Sequence, residues 1–441
     1  MRRGGDVKHL IVVAEGVEPS VLQDEMAAGH LPWLSNSVKE GFWRDLNCGP
    51  VPYEPSNLAS AFTGVGPGQH GCYSYWDIRG KGEKPRVLES SDVKAKQFWD
   101  WPEFKDYKFS VVNIQLTHPP QPINGNMISY PMLATLRASY PQDLLLNLSR
   151  KGVRYAHDVT VFYTGQALDE FAQEARQAAE YQLNTALTLA SDCDVMVVNL
   201  TIADRLSHFL WHELEQPGGQ RPSSAQILES YKFIDQACAK LEEHVEESVM
   251  VFSEIGFGGL DQFVSLDEML QKAGLQTLHS DGTVDLKQSL AFEAVQGSHG
   301  IILSSSMDQA GQNGKGYAQD FATVRNALME MRFSDGTPVL CAADHFEDIY
   351  SGPWSHLAPD IIVKPADPRR PPLGDPRWAN HVKRNDQSGW HRDKGFVIVK
   401  GGSATTSEDG SVVELESIAP TIARLVGVDV PKTCMTPSLV L

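Results

Sequence analysis

Short, largely apolar runs rich in β-branched residues punctuate the chain: HLIVVA at 9–14, FSVVNI at 109–114, VMVVNL at 195–200, VMVF at 249–252 and FVIVK at 396–400. Their apolar residues are consecutive instead of alternating, the pattern of strands buried on both faces. Between two of them, residues 167–191 space apolar side chains at helical intervals among Glu, Gln and Arg. Strands alternating with helices predict an α/β fold with a doubly wound, mainly parallel sheet, whose ligands lie beyond the C-terminal ends of the strands. Glu15, Asp204 and Glu254 all fall there.

The densest chemistry is in VVNLTIADRLSHFLW, 197–211, where an apolar run gives way to Asp204 and His208 four residues apart. On a helical turn that spacing puts both side chains on one face. Two readings stand: half of a divalent metal site, or a capped helix start with a partly buried histidine. Residues 50–71, PVPYEPSNLASAFTGVGPGQHG, predict a turn followed by a helix of small residues. The N-terminus of that helix would aim backbone N–H groups at whatever the loop holds, or it simply packs. Residues 364–390 are rich in Pro, Arg and Lys, carry Trp378 and Trp390, and lead directly into His391, which reads as a loop or lid.

Composition narrows the classes. A chain of 441 residues, 41% hydrophobic and 21% charged, has the makeup of a globular protein with room for an inserted cap. Its formal net charge of -18 disfavours nucleic acid and anionic membranes as partners and leaves a small molecule as the expected substrate. The six cysteines form no CxxC pair, as expected of reduced thiols in a cytoplasmic protein. MRRGGDVKHLIVVAEG reads as a first strand and not a signal peptide, and no apolar run is long enough to span a membrane.

EGVEPSVL, EPSNLASAFTGVGPGQHG, VVNIQLTHPPQPINGNMIS, ADRLSHFLWHELE, VFSEIGFGG, IYSGPWSHLAPDIIV and GWHRDKGFVIVKGG resemble, in order, segments of the alkaline phosphatase superfamily. The likeness is to its phosphohydrolase and phosphomutase branch, related to type I phosphodiesterases and nucleotide pyrophosphatases. It covers nearly the whole chain and implies one α/β domain over 1–441, with cap or lid insertions within about 262–390. It also implies a site for two metals, usually zinc, with a Thr or Ser nucleophile between them. The first-metal ligands fall on Asp204, His208 and His391. At the second site the positions of an Asp, the nucleophile and an Asp-His pair fall on Glu15, Glu54, Glu254 and Ile255, so every one differs. Asn57 falls where the related pyrophosphatases help hold the phosphoryl group.

Three glutamates at altered positions suggest a remodelled site. Like charges in a low dielectric need a cation among them or a proton on some. The expectation is therefore a divalent ion, Zn, Fe or Mn, at one site and a second site open; Glu15, Glu54 and Glu254 are candidate ligands, and Glu54 and Glu254 candidate acid/base groups. The reading carried forward is a metal-dependent hydrolase that uses metal-activated water on a small ester, possibly phosphorus-based. Two alternatives stay open: a metalloenzyme of oxidative, lyase or isomerase chemistry, and a catalytically silent metal-binding protein. Arg377 and Trp390 are the named candidates for substrate binding, with Arg369, Arg370, Trp378, Lys383 and Arg384 behind them. His70, His299, His356 and His381 are unassigned, although the GSHG loop of His299 is a candidate to approach the pocket.

Overall fold

A computed structural model describes residues 7–440 apart from 79–85, 133–134, 136, 159–160, 162, 216–221, 223–224, 308–311, 313, 315, 373, 375–385 and 403–411. Arg377, Trp378, His381, Lys383 and Arg384 lie outside the described residues. The chain divides into two compact units, the first made of Met1–Val65, Glu89–Gly259 and Val382–Leu441, the second of Gly66–Leu88 and Leu260–His381.

The strands in chain order are β1 Val7–Ala14, β2 Phe42–Asn47, β3 Phe109–Ile114, β4 Gly125–Ser129, β5 Ser139–Tyr140, β6 Val195–Leu200, β7 Val245–Ser253 and β8 Gly256–Gly259, then β9 Ala291–Glu293, β10 Gly300–Leu303, β11 Leu340–His345, β12 Ile361–Pro365, β13 Gly389–Arg392, β14 Lys394–Gly401 and β15 Val413–Glu414. In the first unit a sheet runs in the order β15-β2-β14-β7-β1-β6-β3-β4-β5. The neighbours at its centre, β7, β1, β6, β3 and β4, are all parallel, while β14 runs antiparallel to both β2 and β7. Each apolar run read from the sequence is one of these strands.

The sheet is covered on both sides, which is why its runs are largely apolar. Along β1, Leu10, Val12 and Ala14 pack into one core with the helices Leu168–Ala190, Ile202–Leu210 and Gln226–Glu242. Ile11 and Val13 pack into the opposite core with Leu58, Ala61 and Phe62 of the helix Glu54–Thr63 and with Ile418 and Ile422 of the helix Ile418–Val426. Each such side chain, fully buried, contributes about 1.5–3 kcal/mol of burial free energy. A polar face on β1 is therefore excluded, and the polar groups gather where the strands end.

The second unit has its own sheet, β11-β12-β10-β9, all antiparallel. Leu266, Leu270, Val324 and Leu328 of the helices Leu266–Lys272 and Tyr317–Glu330 pack on Ile301, Leu303, Ile361 and Val363. All six cysteines are free thiols. Among the described residues no helix is long and apolar enough to cross a membrane.

One backbone contact ties the first strand to the helix that carries Asp204. Gly16 follows β1 with φ +71, and a Cβ there would sit 2.7 Å from the Cα of Asp204. The N–H of Asp204 donates to the carbonyl of Glu15 at 3.1 Å. Only glycine fits this left-handed, close-packed position without moving the helix. Gly16→Ala is expected to destabilise the fold by about 1–3 kcal/mol and to displace Asp204; thermal melts with and without added zinc check both effects.

Candidate functional site

The parallel strands deliver polar side chains to one edge of the sheet. Glu15 follows β1, Gln115 follows β3, Asn199 lies near the end of β6 and Glu254 follows β7. In the helix Ile202–Leu210 the buried side chains of Ile202, Leu206, Phe209 and Leu210 hold one face on the core. That leaves Asp204 and His208, one turn apart, at the sheet edge. His391 is placed by β13, which pairs antiparallel with β8 so that His391 lies opposite Phe257. Glu54 opens the helix Glu54–Thr63, whose second residue is Pro55, a position where a missing N–H costs nothing.

Asp204, His208 and His391 converge, with one ligand atom from each within 4.8 Å of the others. His391 Nε2 is 3.2 Å from Asp204 Oδ1, and His208 Nε2 is 3.6 Å from the same oxygen. Burial depresses the pKa of His208 to about 3, Asp204 only partly opposing it, so this imidazole is neutral with a lone pair to offer. Desolvation would raise Asp204, but the charge of His208 and the hydrogen bond from His391 outweigh it and hold Asp204 at about 2. For His391 desolvation is outweighed by the hydrogen bond to Asp204 and the charge of Glu54, so its pKa lies above the ordinary value.

His391 Nδ1 lies 3.2 Å from the carbonyl of Pro52, a contact that requires Nδ1 to donate. In the imidazolium, favoured by the raised pKa, a second proton on Nε2 points at Asp204, in the place where a cation would bind. Metal-ligating histidines characteristically use their second nitrogen in this way. The donor set of Asp204, His208 and His391 therefore fits a divalent ion, with His391 exchanging a proton for it. Phe257 meets both imidazoles edge-on, at 5.0 and 5.3 Å between ring centroids, and Trp390 stacks on His391 at 4.7 Å. Trp390 is 4% exposed. Its ring packs against both candidate ligands, 5.1 Å from His208 and 4.7 Å from His391.

The glutamates do not form a second group of this kind among the described residues. Glu15 Oε2 accepts from Gln115 Nε2 at 2.6 Å and also from Asn199 Nδ2, whose amide bridges on to Gln115 Oε1 at 3.1 Å. Glu54 Oε2 lies 3.6 Å from His391 Nδ1 and has no hydrogen bond. Both carboxylate oxygens of Glu254 are buried without a hydrogen-bond partner. Desolvation first, and then the neighbouring carboxylates, push Glu15 and Glu254 well above the usual carboxylate range. Glu54 is raised by desolvation, with His391 pulling the other way. Asn57, expected near a phosphoryl group, donates Nδ2 to the backbone carbonyl of Glu254 at 2.9 Å and so fixes where Glu254 leaves β7.

Gln115 and Asn199 were not anticipated, although each is an amide at the end of a largely apolar run, which is a readable signal. Asp158 and Tyr130, which hold the Arg205 side chain beside Asp204, carry no such signal. Of the unassigned histidines, His70 accepts a hydrogen bond at Nδ1 from the Cys72 backbone N–H, and His299 is buried in the second unit with φ +45. Arg369 pairs with Asp261 at 2.8 Å, and Arg370 lies over the ring of Phe333.

The family model described as type I phosphodiesterase / nucleotide pyrophosphatase matches residues 9–392. Curated proteins give no match to the sequence. Among solved structures, phosphonoacetate hydrolase from Sinorhizobium meliloti, in complex with phosphonoformate, aligns over 90% of each chain with 13% identity and a TM-score of 0.59. Wild-type alkaline phosphatase PafA aligns over 100% of this chain and 99% of its own, with 12% identity and a TM-score of 0.59. Human ectonucleotide pyrophosphatase / phosphodiesterase 5 covers 96% of each chain with 13% identity and a TM-score of 0.54. These structural likenesses establish a shared fold.

The orphaned Glu254 generates a prediction about the metal-free protein. Its folded-state pKa is raised, so above the ordinary value of 4.5 the folded state binds more protons than the unfolded chain, and stability falls as pH rises. Glu254→Gln removes that charge. It is expected to raise the metal-free melting temperature at pH 8, by about 1–3 kcal/mol of stability, and to have less effect at pH 4. Calorimetry at the two pH values checks it, and a Gln variant less stable at pH 8 contradicts the assignment of Glu254 as an uncompensated buried acid.

Proposed function

Because the chain belongs to the type I phosphodiesterase / nucleotide pyrophosphatase family of the alkaline phosphatase superfamily, a group of phosphoryl-ester hydrolases, we propose that it hydrolyses a small phosphodiester with water as the attacking group and a divalent ion held by Asp204, His208 and His391. The observation that carries this reading is Glu54: a buried acid, 3.6 Å from the candidate ligand His391, at the position that the sequence resemblance aligns with the superfamily's nucleophile.

A divalent cation bound by the triad would supply Lewis acidity at the phosphoryl oxygen and lower the pKa of a water. The remaining roles belong to the protein. His208, neutral at physiological pH, and His391, oriented by the Pro52 carbonyl and the Trp390 ring, offer ring nitrogens in fixed planes. Glu54 holds its proton more tightly than an ordinary carboxyl, which suits a group that takes a proton from water or gives one to a leaving alkoxide. Ionised Asp204 keeps the local field negative, and Glu254 or Glu15 adds to it whenever either gives up its proton. A dianionic monoester entering that field is repelled more than a monoanionic diester, and this supports the choice of substrate class.

The two-histidine, one-carboxylate set also suits ferrous iron, so metal identity is the first measurement. Protein purified without chelator or added metal is expected to carry about one equivalent of zinc or manganese by mass spectrometry, and to turn over bis(4-nitrophenyl) phosphate faster than 4-nitrophenyl phosphate. His208→Ala is expected to lose the metal and the turnover together. Iron with neither turnover would transfer the site to non-phosphoryl chemistry.

Glu54→Gln keeps the shape of the side chain and removes the titrating proton. It is expected to lower kcat on the diester by about 10²-fold or more, with metal content unchanged. Full activity in that variant would make Glu54 a relic.

A further inference from the structure

Arg205 is the residue after Asp204, so the chain itself sets a guanidinium beside the carboxylate assigned to the cation. Its charge is felt by Asp204, but its hydrogen bonds go to Asp158 and Tyr130. Nε donates to Asp158 Oδ2 at 2.8 Å, and Nη2 donates to the same oxygen and to the Tyr130 hydroxyl at 2.9 Å. The Tyr130 hydroxyl in turn donates to Asp158 Oδ2 at 2.9 Å. The second oxygen of Asp158 accepts from Thr201 Oγ1 at 2.5 Å. Thr201 is the N-cap residue of the helix Ile202–Leu210, and its hydroxyl makes no capping bond. It is directed to Asp158 instead. One carboxylate thus binds the helix at Thr201 and again at Arg205, and Asp204 lies between the two attachments.

Asp158 is 3% exposed and belongs to none of the groups expected from the sequence. It does not touch the ligand cluster. Without it, a guanidinium in a poorly solvated place would turn to the nearest carboxylate available, which along this chain is Asp204. A cation and a guanidinium cannot both hold that carboxylate at no cost.

We infer that Asp158 is a positioning residue that keeps the Arg205 guanidinium off Asp204, leaving that carboxylate free for a divalent ion. The inference rests on the metal reading of the triad and adds to it a residue that acts on affinity from outside the ligand set.

The test is a titration of chelator-treated protein with Zn(II) and with Mn(II), read as affinity, beside the melting temperature of the same metal-free samples. Asp158→Asn is expected to weaken metal binding about tenfold or more, the usual size of an outer-partner effect. Adding Arg205→Met to it is expected to restore affinity to within about twofold of wild type, the scatter normal for additive changes, because the competitor is gone. A merely structural Asp158 predicts the opposite, with the double variant binding as weakly as the single one. Should Asp158→Asn fail to fold, Arg205→Lys and Arg205→Met carry the test. A lysine lacks the planar two-nitrogen grip on one oxygen and is freer to reach Asp204, so Lys is expected to weaken binding and Met to leave it unchanged; equal affinities overturn the inference. Wild-type protein that takes up neither metal would overturn the triad reading and this inference with it, whereas wild-type binding with unchanged affinity in Asp158→Asn overturns this inference alone.

Discussion

The burial of four carboxylates at one edge of a parallel sheet constrains everything around them. Glu15, Glu54, Asp204 and Glu254 are each raised by burial toward the protonated state, and each adds to the field felt by the others. Only Asp204 is brought back below its ordinary range, because two imidazoles adjoin it. The site therefore sorts its acids by partner: one ionised carboxylate faces the histidines, one is held by amides, and two have oxygens with no hydrogen bond. Such a sorting separates groups that bind charge from groups that carry protons, the division on which acid/base work depends.

Backbone, more than side-chain packing, holds this arrangement in place. The Glu15 carbonyl and the Gly16 Cα lie against the Asp204 backbone, and the Asn57 amide holds the carbonyl of Glu254. β8 and β13 bring His391 back to the same edge by a short antiparallel pairing. Movement at any of these points alters more than one ligand at a time. Interiors packed to crystal-like density transmit such shifts instead of absorbing them.

The strands were legible because both faces of the sheet are covered, which leaves few polar positions inside a run to break the pattern. The triad was legible for a different reason. Asp204 and His208 have a spacing that only a helix turns into proximity, and His391 stands beside Trp390 at the start of an apolar strand run. The pairing of His391 with Phe257 was not legible, because it depends on a β13–β8 contact between residues more than a hundred positions apart. The burial of Trp390 under the His391 imidazole was equally out of reach, because it follows from the same pairing. Asp158 is harder still. Nothing local marks it, since its partners Tyr130, Thr201 and Arg205 are all distant in sequence, the last two from one helix and its N-cap.

On the proposed reading, a carboxyl at position 54 in place of a hydroxyl bears on how the pocket would select its substrate. Glu54 is an acid with a raised pKa, in the company of Glu254 and Glu15. If Glu54 carries a proton, it donates a hydrogen bond to a phosphoryl oxygen or a leaving group; if it is ionised, it repels both. On the proposed reading, substrate charge and the protonation of Glu54 are therefore linked, so that a ligand with less negative charge binds without forcing a proton onto every acid in the site. That linkage requires no residue beyond those already at the sheet edge, and it gives the retained glutamates a physical role that an abandoned nucleophile position would lack.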